Sequence, residues 1–264
     1  MSRLSLENLP KIPRRNTIPV LMYHRIVQAP LKESRHGVWV TSEKFEQQLG
    51  SLRTRGYSTI TFQDYGVFLS QNRPLPAKPI ILTFDDGYED NYTLAFPLLQ
   101  RFGFTAVIFA VTAEDRRTNF WDPGEPQAPL LNPSQMMEMC RHGIEFGSHT
   151  VTHANLANIS VTQVKNECGL SKEMLQQVLG NEVISFAYPY GKLTAQVKSI
   201  VAETGYQFAA ATDSGTPVLS DDWLQMRRIQ VFPWTNSFGF WKKTQPWYLK
   251  YKISRDDIQH KKAF

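Results

Sequence analysis

Asp85 and Asp86 are the two residues whose types and position in this chain most strongly imply chemistry. They follow directly after the apolar residues 80–84, and Gly87 behind them permits a sharp turn of the backbone. An apolar run of this length predicts a buried strand, so both carboxylates lie at a strand end. Adjacent carboxylates repel each other unless a cation or a shared proton offsets their charge, which favours a bound metal ion. The alternative is a helix cap with a second acid near the positive end of the helix dipole.

Histidines at the ends of two other predicted strands supply candidate ligands and acids. His149 and His153 are four residues apart, and His24 follows an apolar stretch near the start of the chain. Two histidines and one carboxylate can hold a metal ion and leave coordination positions open for water and substrate. His-x₃-His alone is a weak signal, and a lone histidine such as His24 is more often structural than functional. Together with Asp85 and Asp86, the histidine pair predicts a metal site.

The hydrophobic pattern predicts the elements that bring these residues together. Strands and helices alternate, which predicts repeated β-α units and a parallel sheet, open or closed into a barrel. Sites in such folds gather at the carboxyl ends of the strands. The predicted strands cover residues 18–23, 57–61, 80–84, 105–111, 144–148, 183–187, 206–211 and 226–231. The predicted helices cover about residues 43–56, 63–70, 91–102, 134–142 with Ser134 as the N-cap, 161–179 and 194–204. Residues 114–133, with four prolines, predict a loop long enough to be an active-site flap.

Composition and charge restrict the class of protein. A chain of 264 residues with 42% hydrophobic residues predicts a single domain with one substantial core. The net charge is +5, but the basic residues are scattered rather than clustered on one element, so we predict no nucleic-acid partner. Cys140 and Cys168 are too few for a disulfide framework and too far apart for a cysteine-ligated metal site.

Three motifs at these strand ends resemble those of the polysaccharide deacetylases with a NodB homology domain, carbohydrate esterase family 4. Residues 83–87 match Thr-Phe-Asp-Asp-Gly, and residues 149–153 match the motif of two histidines with a serine or threonine after the first. Residues 187–191, Ala-Tyr-Pro-Tyr-Gly, correspond to Arg-x-Pro-Tyr-Gly, and residues 21–24 are similar to the first strand of the branch that acts on poly-β-1,6-N-acetylglucosamine. The resemblance covers roughly residues 18–232.

The resemblance implies an α/β fold, a distorted (β/α) barrel of the NodB and glycoside hydrolase/deacetylase type. It implies a divalent metal ion, usually zinc with cobalt, nickel or iron as alternatives, and hydrolysis of N-acetyl groups on amino sugars, with an N-acetylated glycan as partner. The residue roles carried over are Asp86, His149 and His153 as metal ligands, Asp85 as general base, His24 as acid and the backbone N–H of Tyr190 as oxyanion donor. The expected substrate-binding residues are Tyr188, Pro189, Tyr190 and Trp223, with Trp121 and Trp234 as further aromatics beside a groove.

The sequence departs from the family pattern at two places. The arginine of the third motif, which orients the base, is Ala187 here, so we expect Arg227 or Arg228 to replace it, with Arg228 preferred. The C-terminal Leu-x-His of the family is missing, since His260 in a polar tail is the only later histidine. These departures leave open a catalytically weak carbohydrate-binding relative, and a hydrolase of another C–N bond, such as a cyclic imide, is the second alternative.

The expected organisation is an N-terminal arm (1–17), a catalytic domain (18–232) and an aromatic-rich extension packed on the barrel (233–264). No apolar run is long enough for a signal peptide or a membrane span, so the chain as written predicts a cytoplasmic protein without stable membrane insertion. Family precedent favours an extracytoplasmic location instead. The residues leave the glycan linkage and the oligomeric state open.

Overall fold

Parallel strands with helices between them form the core of the protein. The structure is a computed structural model, and it describes residues 18–71, 73–113, 117–212, 214–215 and 221–254. The predicted arm 1–17, His260 and the end of the C-terminal extension lie outside the described residues. The strands are β1 (Val20–Tyr23), β2 (Arg25–Val27), β3 (Trp39–Thr41), β4 (Ser58–Thr59), β5 (Pro79–Phe84), β6 (Val107–Ala110), β7 (Glu145–Ser148), β8 (Ser185–Ala187), β9 (Phe208–Ala210) and β10 (Ile229–Gln230). The α-helices whose two ends both lie in the described chain are α1 (Ser42–Thr54), α2 (Phe62–Gln71), α3 (Phe96–Phe102), α4 (Pro133–Arg141), α5 (Val161–Leu179), α6 (Ala195–Glu203) and α7 (Ser237–Lys243).

The main sheet is parallel throughout and curls until its two edges are bridged. Its strand order is β10-β1-β5-β6-β7-β8-β9, with β4 paired to β5, and β2 and β3 form a separate parallel pair. The chain from residue 226 to residue 231 contacts both edges. Met226 forms a bridge with Ala210 in β9, while Ile229 lies opposite Leu21 in β1. The predicted distorted (β/α) barrel is therefore confirmed.

Side-chain alternation along the strands separates the barrel interior from the helical layer. In β5, Ile80 and Leu82 pack in the cluster under the helices, whereas Ile81 packs in the interior cluster. Successive side chains of a strand point to opposite faces, so Thr83 and Asp85 continue the interior side of β5 toward its carboxyl end. The amino end of the barrel is filled by aromatic residues of α2 and β9, Phe62, Tyr65 and Phe208. The interior thus stays open to polar groups at the carboxyl end.

Local capping signals explain where the longer helices begin. Thr41 accepts a hydrogen bond from the N–H of Lys44 at the start of α1. Ser160 and Gln163 form a reciprocal capping box at the start of α5, whose bounds match the prediction. Within the described chain, none of the helices combines the length and apolar composition needed to cross a bilayer.

Three expectations about the elements need correction. The N-cap of α4 is Asn132, which forms a capping box with Gln135, and Ser134 already lies inside the helix because Pro133 occupies the first turn. The predicted helix 91–102 is divided into a π-helical turn, Asn91–Ala95, and α3. No strand is predicted at β2 or at β3, because three residues give too little alternation to detect.

The described part of the C-terminal extension packs against the helical layer. Phe240 of α7 and Leu249 are buried in the cluster under the helices, and the hydroxyl of Tyr57 donates to the carbonyl of Thr244. These contacts agree with an extension that covers the barrel. The division of the chain into arm, catalytic domain and extension stays a prediction.

Candidate active site

The carboxyl ends of β1, β5, β7 and β8 and the start of β10 bring the predicted site residues together. Asp85 and Asp86 follow β5, His149 directly follows β7, and His24 follows β1. All four side chains are buried or nearly so, although each is polar. Polar groups are buried in this way when they pair with one another or with a ligand.

Asp85 is paired with Arg228 inside the barrel. The two guanidinium nitrogens of Arg228 donate to Oδ1 and Oδ2 of Asp85 at 2.6 and 2.7 Å, with exposed side-chain fractions of 0% and 3%. Arg228 also donates to Oγ1 of Thr83 and to the carbonyl of Ala211. Burial opposes ionisation of Asp85, but Arg228, His149 and His24 outweigh it and hold the pKa of the carboxyl below its ordinary value. Asp85 is therefore an ionised carboxylate held in one orientation.

Asp86 faces two histidine nitrogens. Its Oδ1 lies 3.5 Å from Nε2 of His149 and 3.3 Å from Nε2 of His153, and the three ligand atoms all lie within 4.8 Å of one another. Asp86 Oδ1 is buried and has no hydrogen-bond partner among the described residues. Burial disfavours the charged carboxyl, yet the pKa of Asp86 is held far below its ordinary value, with His153 as the largest opposing influence. A buried, ionised oxygen without a partner beside two imidazole nitrogens fits a divalent cation.

The ring of His149 is fixed in the tautomer that a metal ligand needs. Its Nδ1 lies 2.7 Å from the carbonyl oxygen of Ala187, which can only accept, so Nδ1 carries the proton and the lone pair is on Nε2. Burial lowers the pKa of His149 to about 4, so the ring is neutral near pH 7. Ala187, the residue that replaces the family's arginine, thus contributes through its backbone.

The backbone at the site is held in a sparsely populated conformation. Within the described chain, the non-glycine residues with positive φ are Asp86 (73°), Thr150 (69°), His153 (59°) and Tyr190 (58°), and all four belong to the three motifs. Each such residue costs of the order of 1–3 kcal/mol and persists where the surrounding structure over-determines it. Gly87 (φ 74°) makes the predicted turn, and a Cβ there would lie 3.1 Å from Cβ of Ala110. This backbone aims the side chains of both acids and both histidines.

His24 lies beside Asp85 at the end of β1. Its Nε2 is 4.0 Å from Oδ2 of Asp85, and its side chain is 16% exposed. The carbonyl of His24 accepts a hydrogen bond from Nδ2 of Asn91 at 2.8 Å, and Asp90 accepts from the N–H of Ile26. Asn91 was not predicted to matter, and its position in the turn just after the Asp85-Asp86 motif is the signal that indicates its contact with the site.

An open pocket of about 730 Å³ lies next to His153. The ring of Trp121, in the predicted flap, stacks on His153 with ring centroids 4.7 Å apart, and Tyr190 contacts the same imidazole edge-on at 4.6 Å. Tyr190 is 48% exposed. The pocket is lined by Ala113, Phe120, Trp121, Thr152, His153, Ala154, Asn155 and Tyr190.

Three of the aromatic and proline residues predicted to bind substrate lie elsewhere. Trp223 packs against Phe208 at the start of β9, which is the amino end of the barrel and opposite to the site. Tyr188 is fully buried and its hydroxyl donates to the carbonyl of Leu224. Pro189 is buried in the first position of a short 3₁₀ turn. The structure therefore does not bring the side chains of Trp223, Tyr188 and Pro189 to the pocket beside His153.

Trp234 is also separate from the pocket beside His153. It is exposed, stacks on Phe232 at 4.7 Å between ring centroids, and lines a groove together with Lys44 and Gln47 of α1. Tyr190 is thus the third-motif residue whose side chain reaches the pocket, and Trp121 is the tryptophan that does so.

Comparisons with known proteins agree with this geometry. Residues 72–209, just over half of the chain, match the family model described as polysaccharide deacetylase. YxkH of Bacillus subtilis is 29% identical over 223 residues, which are 84% of this chain and 74% of YxkH. A Staphylococcus aureus protein named poly-β-1,6-N-acetyl-D-glucosamine N-deacetylase is 22% identical over 230 residues, 79% of this chain and 77% of its own.

A solved structure of similar fold is that of the Streptococcus pyogenes deacetylase PplD in complex with acetate. Its TM-score is 0.75 with 28% sequence identity, and the alignment covers 88% of this chain and 100% of the PplD chain. The chain therefore belongs to the polysaccharide deacetylase family, and with it to the hydrolases that act on carbon–nitrogen bonds.

Proposed function

We propose that this protein is a metal-dependent N-deacetylase that releases acetate from N-acetylglucosamine units of a polysaccharide or oligosaccharide. The observation that carries the proposal is the pairing of two sites at one end of the barrel. An ionised, arginine-held carboxylate, Asp85, stands next to the Asp86, His149 and His153 cluster, and His153 of that cluster lines an open pocket. One acid is free to take a proton, and the other is directed at two imidazoles.

Asp86, His149 and His153 would hold the cation. Two imidazole nitrogens and one carboxylate oxygen suit zinc, and they suit cobalt, nickel or iron as well. Of these metals we propose zinc as the cellular one. When bound, the ion would lower the pKa of a coordinated water toward ~7 and polarise the amide carbonyl. The neutral state of His149 near pH 7 supports this assignment.

Asp85 would be the general base. Its carboxylate is ionised and its orientation is fixed by two hydrogen bonds from Arg228, so it can accept the proton that the attacking water loses. Arg228 would do for Asp85 what the third-motif arginine does in the family. The backbone N–H of Tyr190 would donate to the developing oxyanion, and the left-handed conformation of Tyr190 supports this role because it turns the chain sharply there.

His24 would be the general acid that protonates the leaving amine. It lies within 4.0 Å of Asp85, at a strand end next to that of the base, and is partly exposed. An amine leaves an amide readily only when it is protonated, and histidine is the side chain whose ordinary pKa suits that transfer near neutral pH. The proximity of His24 to Asp85 favours the arrangement in which the acid comes from the first strand.

The open, aromatic pocket supports a sugar polymer rather than a small cyclic substrate. Aromatic faces stack on sugar rings, and Tyr190 and Trp121 supply such faces beside His153. A cyclic imide would be better served by a closed cavity, whereas Tyr190 is almost half exposed. The name of the Staphylococcus aureus relative supports a poly-β-1,6-N-acetylglucosamine substrate, which we propose as the first glycan to test.

The direct test is acetate release from defined N-acetylglucosamine oligosaccharides, β-1,6-linked and β-1,4-linked. We expect release with zinc-loaded protein, loss of release after chelation with EDTA, and recovery on adding zinc. Asp85→Asn should abolish release while metal binding remains, and Asp221→Asn, an exposed acid on another loop, should leave it unchanged. Metal-loaded protein that frees no acetate from any N-acetylated sugar polymer would show the proposal to be wrong.

A further inference from the structure

Glu167 of α5 holds the loop that carries His153. One of its carboxylate oxygens, Oε2, accepts the N–H groups of Val151 and Thr152 at 2.8 and 2.9 Å. The other, Oε1, accepts the hydroxyl of Thr152 at 2.7 Å. Three hydrogen bonds from two consecutive residues thus end on one side chain that is fifteen or sixteen positions away in sequence.

The loop needs such support because of its backbone. It begins at His149 and ends at His153, and both Thr150 and His153 have positive φ, a conformation that a β-branched residue such as threonine rarely adopts. The carbonyls of Thr150 and Val151 accept N–H groups from the segment after β6, at 3.3 and 2.9 Å. The carbonyls of Thr150 and Val151 are therefore satisfied on one side, and the N–H groups of Val151 and Thr152 are satisfied by Glu167 on the other.

The two histidines are supported differently. The ring of His149 is oriented by a hydrogen bond from its own Nδ1 to Ala187. In the part of the chain that the structure describes, His153 Nδ1 is buried without a hydrogen-bond partner, so no second hydrogen bond orients that ring there. Its direction depends on the backbone that carries it and on ring contacts with Trp121 and Tyr190. The backbone anchor at Glu167 therefore matters more for His153 than for His149.

We propose that Glu167 is a positioning residue for His153, which sets the affinity of the Asp86, His149 and His153 site for its metal ion. Glu167 acts by fixing the backbone at Val151 and Thr152, the two residues directly before His153. The inference rests on the proposed function to the extent that these three residues bind a metal. Charge-assisted bonds from backbone N–H to carboxylate are stronger than neutral ones, which is a reason for a glutamate at this place.

The experiment compares Zn²⁺ binding by metal-free wild type, Glu167→Ala, Glu167→Gln and Glu173→Ala, using competition with a chromophoric chelator. Glu173 is an exposed glutamate on the same helix and serves as the matched control. We expect Kd to rise about 10- to 100-fold in Glu167→Ala, the range found when an outer partner of a metal ligand is removed. Glu167→Gln keeps an oxygen for the two N–H groups and should restore most of the affinity, and Glu173→Ala should bind like wild type.

A second readout separates positioning from folding. The visible spectrum of the Co²⁺-loaded protein reports ligand geometry, so we expect it to differ in Glu167→Ala and to return in Glu167→Gln. Should Glu167→Ala fail to fold, Thr152→Val removes one of the three bonds and is expected to raise Kd less than tenfold but measurably. If Glu167→Ala binds Zn²⁺ with wild-type affinity, the role of Glu167 is overturned and the proposed function stays intact. If Glu167→Ala does not fold, wild-type affinity in Thr152→Val has the same consequence. A wild type that binds neither metal overturns both.

Discussion

The ion pair between Arg228 and Asp85 can be tested by measuring both the stability and the activity of a variant that lacks the arginine. Arg228→Met keeps much of the length of the side chain but leaves the Asp85 carboxylate, 3% exposed, without a cation. Breaking a buried pair by removing one partner costs about 3–5 kcal/mol, because the remaining charge stays desolvated. The bonds from Arg228 to Thr83 and Ala211 are lost as well, and each contributes about 1 kcal/mol net. We expect a loss of about 5–7 kcal/mol in the free energy of unfolding.

The assay is urea unfolding followed by tryptophan fluorescence, with Arg227→Met as the neighbouring control. Arg227 is partly exposed, so its replacement should cost no more than about 1 kcal/mol. The double variant Arg228→Met with Asp85→Asn removes both charges of the pair. We expect its loss of stability to be about 0.5–3 kcal/mol smaller than the sum of the losses in the two single variants. Additive single effects, or equal losses at the two arginines, would refute a coupled buried pair.

The loss of stability in Arg228→Met depends on pH in a defined direction. The pKa of Asp85 is held below its ordinary value of 3.8, so the pair's contribution is fully present above that value and is lost as pH falls through the lower pKa of the folded state. The loss of stability caused by Arg228→Met should therefore be complete at pH 7 and become smaller at acidic pH. In catalysis the carboxylate loses its orientation, and we expect kcat/KM to fall on the order of 10²-fold, with the acidic limb of its pH profile moved to higher pH.

Two further variants test other parts of the barrel. Burial raises the pKa of Glu145 from 4.5 to about 7, so folding favours its protonated form, and stability should decline as pH rises between these values, by about 3 kcal/mol at most at about 1.36 kcal/mol per pKa unit. Glu145→Gln should abolish that decline in urea unfolding measured from pH 4 to pH 8, and parallel curves for variant and wild type would contradict the assignment. His24→Gln should lower kcat for acetate release about 10²- to 10⁴-fold while Zn²⁺ affinity stays within about twofold, and unchanged kcat would remove His24 from the mechanism.

The parts of the fold that local sequence signals specify were predicted well. The capped, amphipathic helix α5 and the helix after Thr41 have the predicted bounds to within two residues, because caps and periodicity act over a few neighbouring positions. The same holds for β5, whose apolar run ends at the two acids. The parallel sheet followed from the alternation of such elements, whereas its closure into a distorted barrel followed from the family resemblance.

What depends on position around the barrel could not be read from local pattern. Trp223 and Trp121 are both aromatic residues in loops, but Trp223 follows α6 and β9 toward the amino end of the barrel, while Trp121 lies in the flap at the other end. Residue type carries no information about which end of a strand a loop approaches. The short pair β2 and β3 was missed for a related reason, since its pairing joins residues far apart in sequence.

The replacement of the third-motif arginine by Ala187 becomes understandable from the sheet order. An arginine at position 187 would approach Asp85 from β8, across the interior, whereas Arg228 approaches it from the segment that joins the two sheet edges. The Asp85 carboxylate already receives two hydrogen bonds from Arg228, one to each oxygen, so a second guanidinium would add an unpaired buried cation. Ala187 is therefore no sign of a weakened site. Because Met226 and Ile229 bridge the sheet edges on either side of Arg228, closure of the barrel and orientation of the candidate base depend on the same short segment.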